Sequence, residues 1–398
     1  MYGRIPLPSG EGFAPKHFPI RTAQPSSVYT SRMGGPTYPA ARMVAERIQS
    51  RLTVIATKFQ EPGYAPKPDA SVIEDVISAA FWASLRHEEG RAPSISLAFV
   101  PPELVVRPLI FDNRLPLDPD SLVRLAPAVE RPGIHLGVWA YNDHLCLWGT
   151  TRTVPTWCFV LEVIAPGLLV VKFRRAEPST KFANIAVLEG ANVKFIEPQD
   201  AIISEVPSAL SSLFAFYASA GREESDNVLV RLAISMRAHQ RGGTLLVVPH
   251  DTEEWRQSLV KPISYSVTPP FSEIDGLPHD SDALRAAVDA LAGWTAVDGA
   301  TVISDRFALL ASGVKIVSRD TASRIERVLV TEPVEGSERL IVEPAQLGNT
   351  RHMSAAQFVH DQRSAIALVA SQDRRFTIFA WSPSGNLVHA HRLESLLL

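Results

Sequence analysis

The stretch HDSDALRAAVDALAGWTAVDGATVIS, residues 279–304, holds a helical pattern and a strand pattern back to back. Across 280–294, Leu284, Ala287, Val288 and Leu291 recur on one stripe, and Ser281 or Asp282 stands where a cap belongs; this predicts a helix. Beyond Trp294, Asp298-Gly299 lies between alternating apolar residues, the strongest short hairpin signal, and predicts a strand pair.

The same alternation extends to both sides. Upstream, Val228, Leu232, Ile234 and Met236 predict a helix, and Gly242-Gly243 opens an apolar strand over 244–248. Residues 250–280 carry four prolines and little periodicity, which reads as a long loop or lid. Downstream, a strand is expected over 307–317, a helix over about 354–361, and strands over 365–371 and 376–381. Helices alternating with strands imply an α/β unit, a sheet with helices packed on it, over residues 227–398. Its own apolar strands and helices predict that this unit folds alone.

The first half has another texture. Residues 1–38 are rich in Pro, Gly and Ser and read as a mobile arm. Helices are expected over 40–59 and 71–86, then short strands over 95–100, 135–139, 145–148, 158–164 and 168–173. Asn142-Asp143-His144 reads as a hairpin turn, and Trp139, Trp148 and Trp157 as core. A separate α+β, strand-rich domain over 39–220 follows, with a helical stretch at 201–218 and a polar joint at 221–227.

Composition limits what such a protein does. A chain of 398 residues exceeds one ordinary core, so two domains are expected. With 39 basic and 42 acidic residues the net charge is −3, and no like-charge block occurs. That argues against a nucleic-acid-wrapping surface or a polybasic membrane patch. Cys146 and Cys158 are too few for a disulfide framework and read as free thiols on strands. No apolar run nears the roughly 20 residues of a membrane helix, and the start lacks a signal-peptide core, so a cytoplasmic location is expected.

Two motifs carry chemistry. In TAVDGATVI (295–303), a carboxylate on a tight turn can hold a divalent metal, and the adjacent glycine lets backbone approach a sugar or phosphate. In GNTRHMSAA (348–356), Asn349 or Thr350 stands at a helix N-cap position. Arg351 and His352 follow in the first turn, the wrong sign for a helix N-terminus, whose dipole favours anions. Free amides, a guanidinium, an imidazole and hydroxyls together suit a polyphosphate.

In this order and spacing the two motifs resemble the diadenylate cyclase domain family, with its Asp-Gly-Ala motif and a later Gly-Thr-Arg-His-Arg motif opening a helix. RGGTLLVV (241–248), ASGVKI (311–316) and ASQD (370–373) are similar to flanking elements of that family. The resemblance covers residues 227–398 and implies a mixed sheet flanked by helices. It also implies condensation of two ATP into cyclic di-AMP and pyrophosphate with Mg²⁺ or Mn²⁺, by two domains facing each other in a homodimer or higher homo-oligomer. Under it, Asp298 binds the metal and helps activate the hydroxyl, and Gly299 and Ala300 approach the ribose. Thr350, Arg351 and His352 hold the triphosphate, Ser354 adds a donor, and Ser371 and Asp373 complete the metal or phosphate shell. Two departures stand out: Met353 replaces the motif's second arginine, and Gln372 replaces one carboxylate. Both favour an alternative, a degenerate domain that senses ATP or a cyclic dinucleotide. The first half resembles, more loosely, the sensor-like domains fused to such cyclases in bacteria.

Overall fold

The computed structural model describes residues 37–57, 65–87, 90–174, 182–196, 228–260, 265–272, 274, 277, 282–319, 323–372, 375–395 and 397. The expected arm, except its last two residues, and the helical stretch at 201–218 lie outside the described residues. Among the described residues no helix is long and apolar enough to cross a membrane.

The first unit runs α1 (Pro39–Thr57), α2 (Ala70–Ser84), β1 (Ile95–Phe99), β2 (Leu109–Pro116), α3 (Pro119–Val129), β3 (His135–Tyr141), β4 (His144–Thr151), β5 (Phe159–Ala165), β6 (Leu168–Arg174), β7 (Phe182–Glu189) and β8 (Asn192–Phe195). The eight strands form one mixed sheet in the order β2-β4-β3-β1-β5-β6-β7-β8. Its pleat sorts the side chains: Ile95, Leu97 and Phe99 of β1 pack under the three helices, whereas Ala98 joins Trp148, Cys158 and Val160 in a cluster of their own. The hairpin expected at Asn142-Asp143 is present, both residues having positive φ (48° and 62°), as the tight turn between β3 and β4 requires. Trp148 is buried, with Nε1 donating to the Val100 carbonyl at 2.8 Å. Cys158 is buried and Cys146 partly so, and both are free thiols. Helix α3 was not among the expected elements, although Leu122, Leu125, Ala126 and Val129 recur at helical spacing; Pro119 opens it and the Asp118 carboxylate accepts from the Ser121 amide at 2.7 Å.

The second unit runs α4 (Val228–Ala238), β9 (Gly243–Val248), a 3₁₀ turn (Glu254–Ser258), β10 (Tyr265–Phe271), α5 (Asp282–Trp294), β11 (Ala300–Ser304), β12 (Leu309–Val314), β13 (Val328–Thr331), β14 (Leu340–Val342), α6 (Thr350–Asp361), β15 (Ile366–Ala370), β16 (Phe376–Ser382) and β17 (Leu387–Arg392). Nine strands form a mixed sheet in the order β10-β12-β11-β9-β15-β16-β17-β13-β14. Helices α4 and α5 cover one face and α6 the other, so β9 and β15 are buried on both sides and read as unbroken apolar runs.

Two expectations fail here. Asp298-Gly299 is not a hairpin turn. The chain leaves α5 in a further helical turn, with Thr295, Ala296 and Val297 amides bonded to the carbonyls of Ala292, Gly293 and Trp294, and then bends into β11. Segment 250–280 is also not one long loop, since it contributes the 3₁₀ turn and the edge strand β10, paired with β12.

The two units share a core. Leu168 and Val170 of β6, Val187 of β7 and Ile196 cluster with α4, α5, Leu393 and Leu397. Around that contact, Ile196 bridges Val334, the Glu335 amide donates to the Phe195 carbonyl at 2.9 Å, and Asn184 donates to the Ser395 carbonyl at 3.0 Å. Glu335 takes ion pairs from Arg47 and Arg51 of α1, and Lys194 pairs with Glu332 at 2.6 Å.

His389 and His391, two apart on β17, lie with ring centroids 3.7 Å apart and planes tilted by 34°, with the Thr331 hydroxyl 2.8 Å from Nε2 of the first and 3.2 Å from Nδ1 of the second. Burial, and then the Arg339 charge, pushes His389 down to about 4; burial and the His389 ring hold His391 well below the usual range. Below the ordinary imidazole pKa the unfolded chain takes up protons that the folded pair refuses. Stability should therefore be full above pH 7 and fall as pH drops through 6 toward 4. For His389 the loss is on the order of 3 kcal/mol. Denaturant melts at pH 7.5 and 5 should show it, and the double variant His389→Gln/His391→Gln should flatten the dependence.

Candidate functional site

At the end of the second sheet where β9 and β11 begin and β12 finishes, an open cleft of about 490 Å³ is lined by Thr244, Asp298, Gly299, Ala300, Val314, Lys315, Ile316, Asn349, Thr350, Arg351 and Ser354. Strand register assembles one wall: Ala300 pairs with Thr244 on one side and Val314 on the other. The other wall is the first turn of α6. Its volume falls within the range of small-molecule sites.

Asp298 sits in the bend that enters β11, with its carboxylate exposed. The bend depends on Gly299, whose φ of +104° and contact with β12 leave no room for a side chain; a Cβ there would lie 2.6 Å from the Gly313 carbonyl carbon. Gly299→Ala should cost about 1–3 kcal/mol through strain at this φ. A lowered Tm, together with weaker ligand binding in the cleft, would report it.

The start of α6 is fixed by Asn349, whose Oδ1 accepts from the Arg351 amide at 3.1 Å. The same oxygen lies 3.0 Å from Nδ1 of His352. His352 is buried and meets the Phe379 ring edge-on at 6.1 Å. It is therefore not brought to the cleft as expected: it holds the cap, while Arg351 and Ser354, three residues apart, share the face that lines the opening. Asn349, not Thr350, is the cap, and the helix begins at Thr350 instead of near 354.

Arg351 reaches across Gly242. A Cβ on Gly242, where φ is +71°, would come within 3.0 Å of Nη1 of Arg351 and 3.2 Å of the Ala370 carbonyl. The glycine noted ahead of β9 thus makes room for the guanidinium. Ser371 is buried, its amide bonded to the Arg375 carbonyl at 2.9 Å, and it does not line the cleft. Asp373 lies outside the described residues. Met353 is 41% exposed and also off the cleft wall.

Lys315 is the residue that sequence reasoning passed over. It lay inside the ASGVKI element noted above, directly after the apolar run of β12, but was given no role there. Among the described residues, the side chains of Asp298, Lys315 and Arg351 have no hydrogen-bond or ion-pair partner. The donor set suits a divalent ion shared with phosphate and not one caged by protein. Asp298 is the carboxylate of the cleft lining, and the described residues hold no group of three or more His, Cys, Asp or Glu that could bind a metal. Magnesium-type ions are commonly held by one or two carboxylates plus substrate phosphates and water.

Residues 63–152 match the family model described as "Probable sensor domain DACNV". The match runs from the approach to α2 through β4, and the same sheet continues through β5–β8. No curated protein matches the chain.

Proposed function

We propose that residues 227–398 form a diadenylate cyclase that condenses two ATP into cyclic di-AMP and two pyrophosphates, under the control of the sensor domain that precedes them. The observation that carries this is a carboxylate and a guanidinium, neither engaged by a described residue, meeting at one cleft beside the start of a twelve-residue helix. The sensor-model match supports a signalling role, because such domains accompany diadenylate cyclases.

In this reading Arg351, Thr350 and Ser354 grip the triphosphate at the positive end of α6, and Gly299 and Ala300 lie against the ribose. The 3′-oxygen of each nucleotide attacks the α-phosphorus of the other. The bond from that phosphorus to the bridging oxygen breaks, pyrophosphate leaves, and Asp298 helps take the hydroxyl proton. A divalent cation held by Asp298 and the phosphates would neutralise charge on the leaving group. Such chemistry rests on positioning and charge. One cleft supplies half of the reaction centre, so the active form pairs two copies.

Incubating the full chain with ATP and Mn²⁺ or Mg²⁺ and seeking cyclic di-AMP by mass spectrometry tests the proposal. Absence of product with metal-dependent ATP binding retained would favour the sensing alternative, which Met353 and Gln372 already suggest.

A further inference from the structure

Lys315 directly follows β12, on the wall that also carries Asp298, whereas Arg351 comes from α6. Its backbone is pinned: its carbonyl accepts from the Val260 amide at 2.9 Å, Ile316 bridges Leu259, and the Val317 amide donates to the Ser258 carbonyl at 2.9 Å. The side chain is exposed, lines the cleft, and meets no charged partner among the described residues. Within the lining the formal charges are Asp298, Lys315 and Arg351. Among the side chains, Arg351 alone would only balance Asp298, leaving a divalent cation as the sole source of excess positive charge for a polyanion. Lys315 makes the lining net cationic. Met353, one position before Ser354 on α6, provides no charge and does not line the opening.

We propose that Lys315 is the second phosphate-binding cation of this site, reaching a nucleoside triphosphate from the strand wall while Arg351 grips it from the helix. The inference rests on the nucleotide reading above and assigns the charge that the helix motif lacks. An ammonium on a long stem from fixed backbone suits this task, because it follows a phosphate as a point charge without demanding a planar fork.

Calorimetric titration of the full chain with ATP and Mg²⁺ tests it, comparing wild type with Lys315→Met and Lys315→Arg. Lys315→Met should bind ATP roughly 10–100-fold more weakly, the range expected for loss of one charge-assisted hydrogen bond. Lys315→Arg should stay within a few-fold of wild type, and the Tm of both should be unchanged, since the side chain is exposed. If wild type binds ATP and Lys315→Met binds it equally well, the Lys315 assignment fails and the nucleotide reading stands. If both variants lose affinity alike, charge is not what the position supplies, and the assignment fails again. If wild type itself binds no ATP, both readings fall together.

Discussion

Asp298→Asn should lower cyclic di-AMP synthesis by at least about a hundredfold while leaving the protein folded. Removing one preorganised charge-stabilising group from a reaction centre typically costs roughly 10²–10³ in rate. In the proposed reaction Asp298 would do two things at once, hold a metal shared with the phosphates and draw the proton from an attacking hydroxyl. The amide keeps the size of the side chain and loses both. Because the carboxylate is exposed and engages no described residue, folding does not depend on it, and the Tm should stay within a degree or two. ATP affinity should change far less than rate, since removing a negative charge beside a triphosphate offsets part of the lost metal anchoring. Purified variant and wild type would be compared by mass spectrometry of product and by calorimetry with ATP. Synthesis within tenfold of wild type would place Asp298 outside the reacting centre.

Asp298 and Arg351 were legible as candidate site residues, though only Arg351 broke a local expectation. One put an acid at a backbone position made for close approach, the other a cation at the positive end of a helix. Residues 298 and 351 lie far apart in sequence, yet β11 and α6 bring them to one cleft. The hairpin reading of Asp-Gly failed because a turn signal is local. The approach of Gly299 to Gly313, a tertiary contact, also demands glycine and left no separate trace. His352 was misread for a reason the sequence contained. His352 shares the buried face of α6 with Ala355 and Ala356, at the three- and four-residue spacing of one helical stripe, whereas Arg351 and Ser354 line the cleft. Lys315 was quoted within ASGVKI but given no role, because a lysine at a strand end usually marks a solvated edge; register with β11 shows what lies beside it. Strands β13 and β14, four and three residues long, are too short to show a period.

The fragment 227–398 should fold poorly without the preceding half, although its own alternation of helix and strand predicted independence. Leu168, Val170, Val187 and Ile196 are members of the same buried cluster as α4, α5 and the C-terminal Leu393 and Leu397. Burying an aliphatic side chain of this size is worth about 1.5–3 kcal/mol, so four such contacts amount to roughly 6–12 kcal/mol as an upper bound. That is comparable to the roughly 5–15 kcal/mol that holds a whole domain together. The ion pairs that Arg47 and Arg51 make with Glu335, and Lys194 with Glu332, are partly exposed and add little by themselves. What the fragment loses is apolar cover over its helix-bearing face. We expect a broad, low-amplitude thermal transition, or aggregation, where the full chain melts cooperatively. The polar change Leu168→Asn/Val170→Asn in the full chain should reproduce part of that loss. A fragment that melts cooperatively within a few degrees of the full chain would instead mean that the shared cluster only docks two independently stable units. If the cluster is one core, anything that shifts β6–β8 must also strain α4 and the segment around Val334, which gives the sensor half a direct mechanical route into the sheet that carries the cleft.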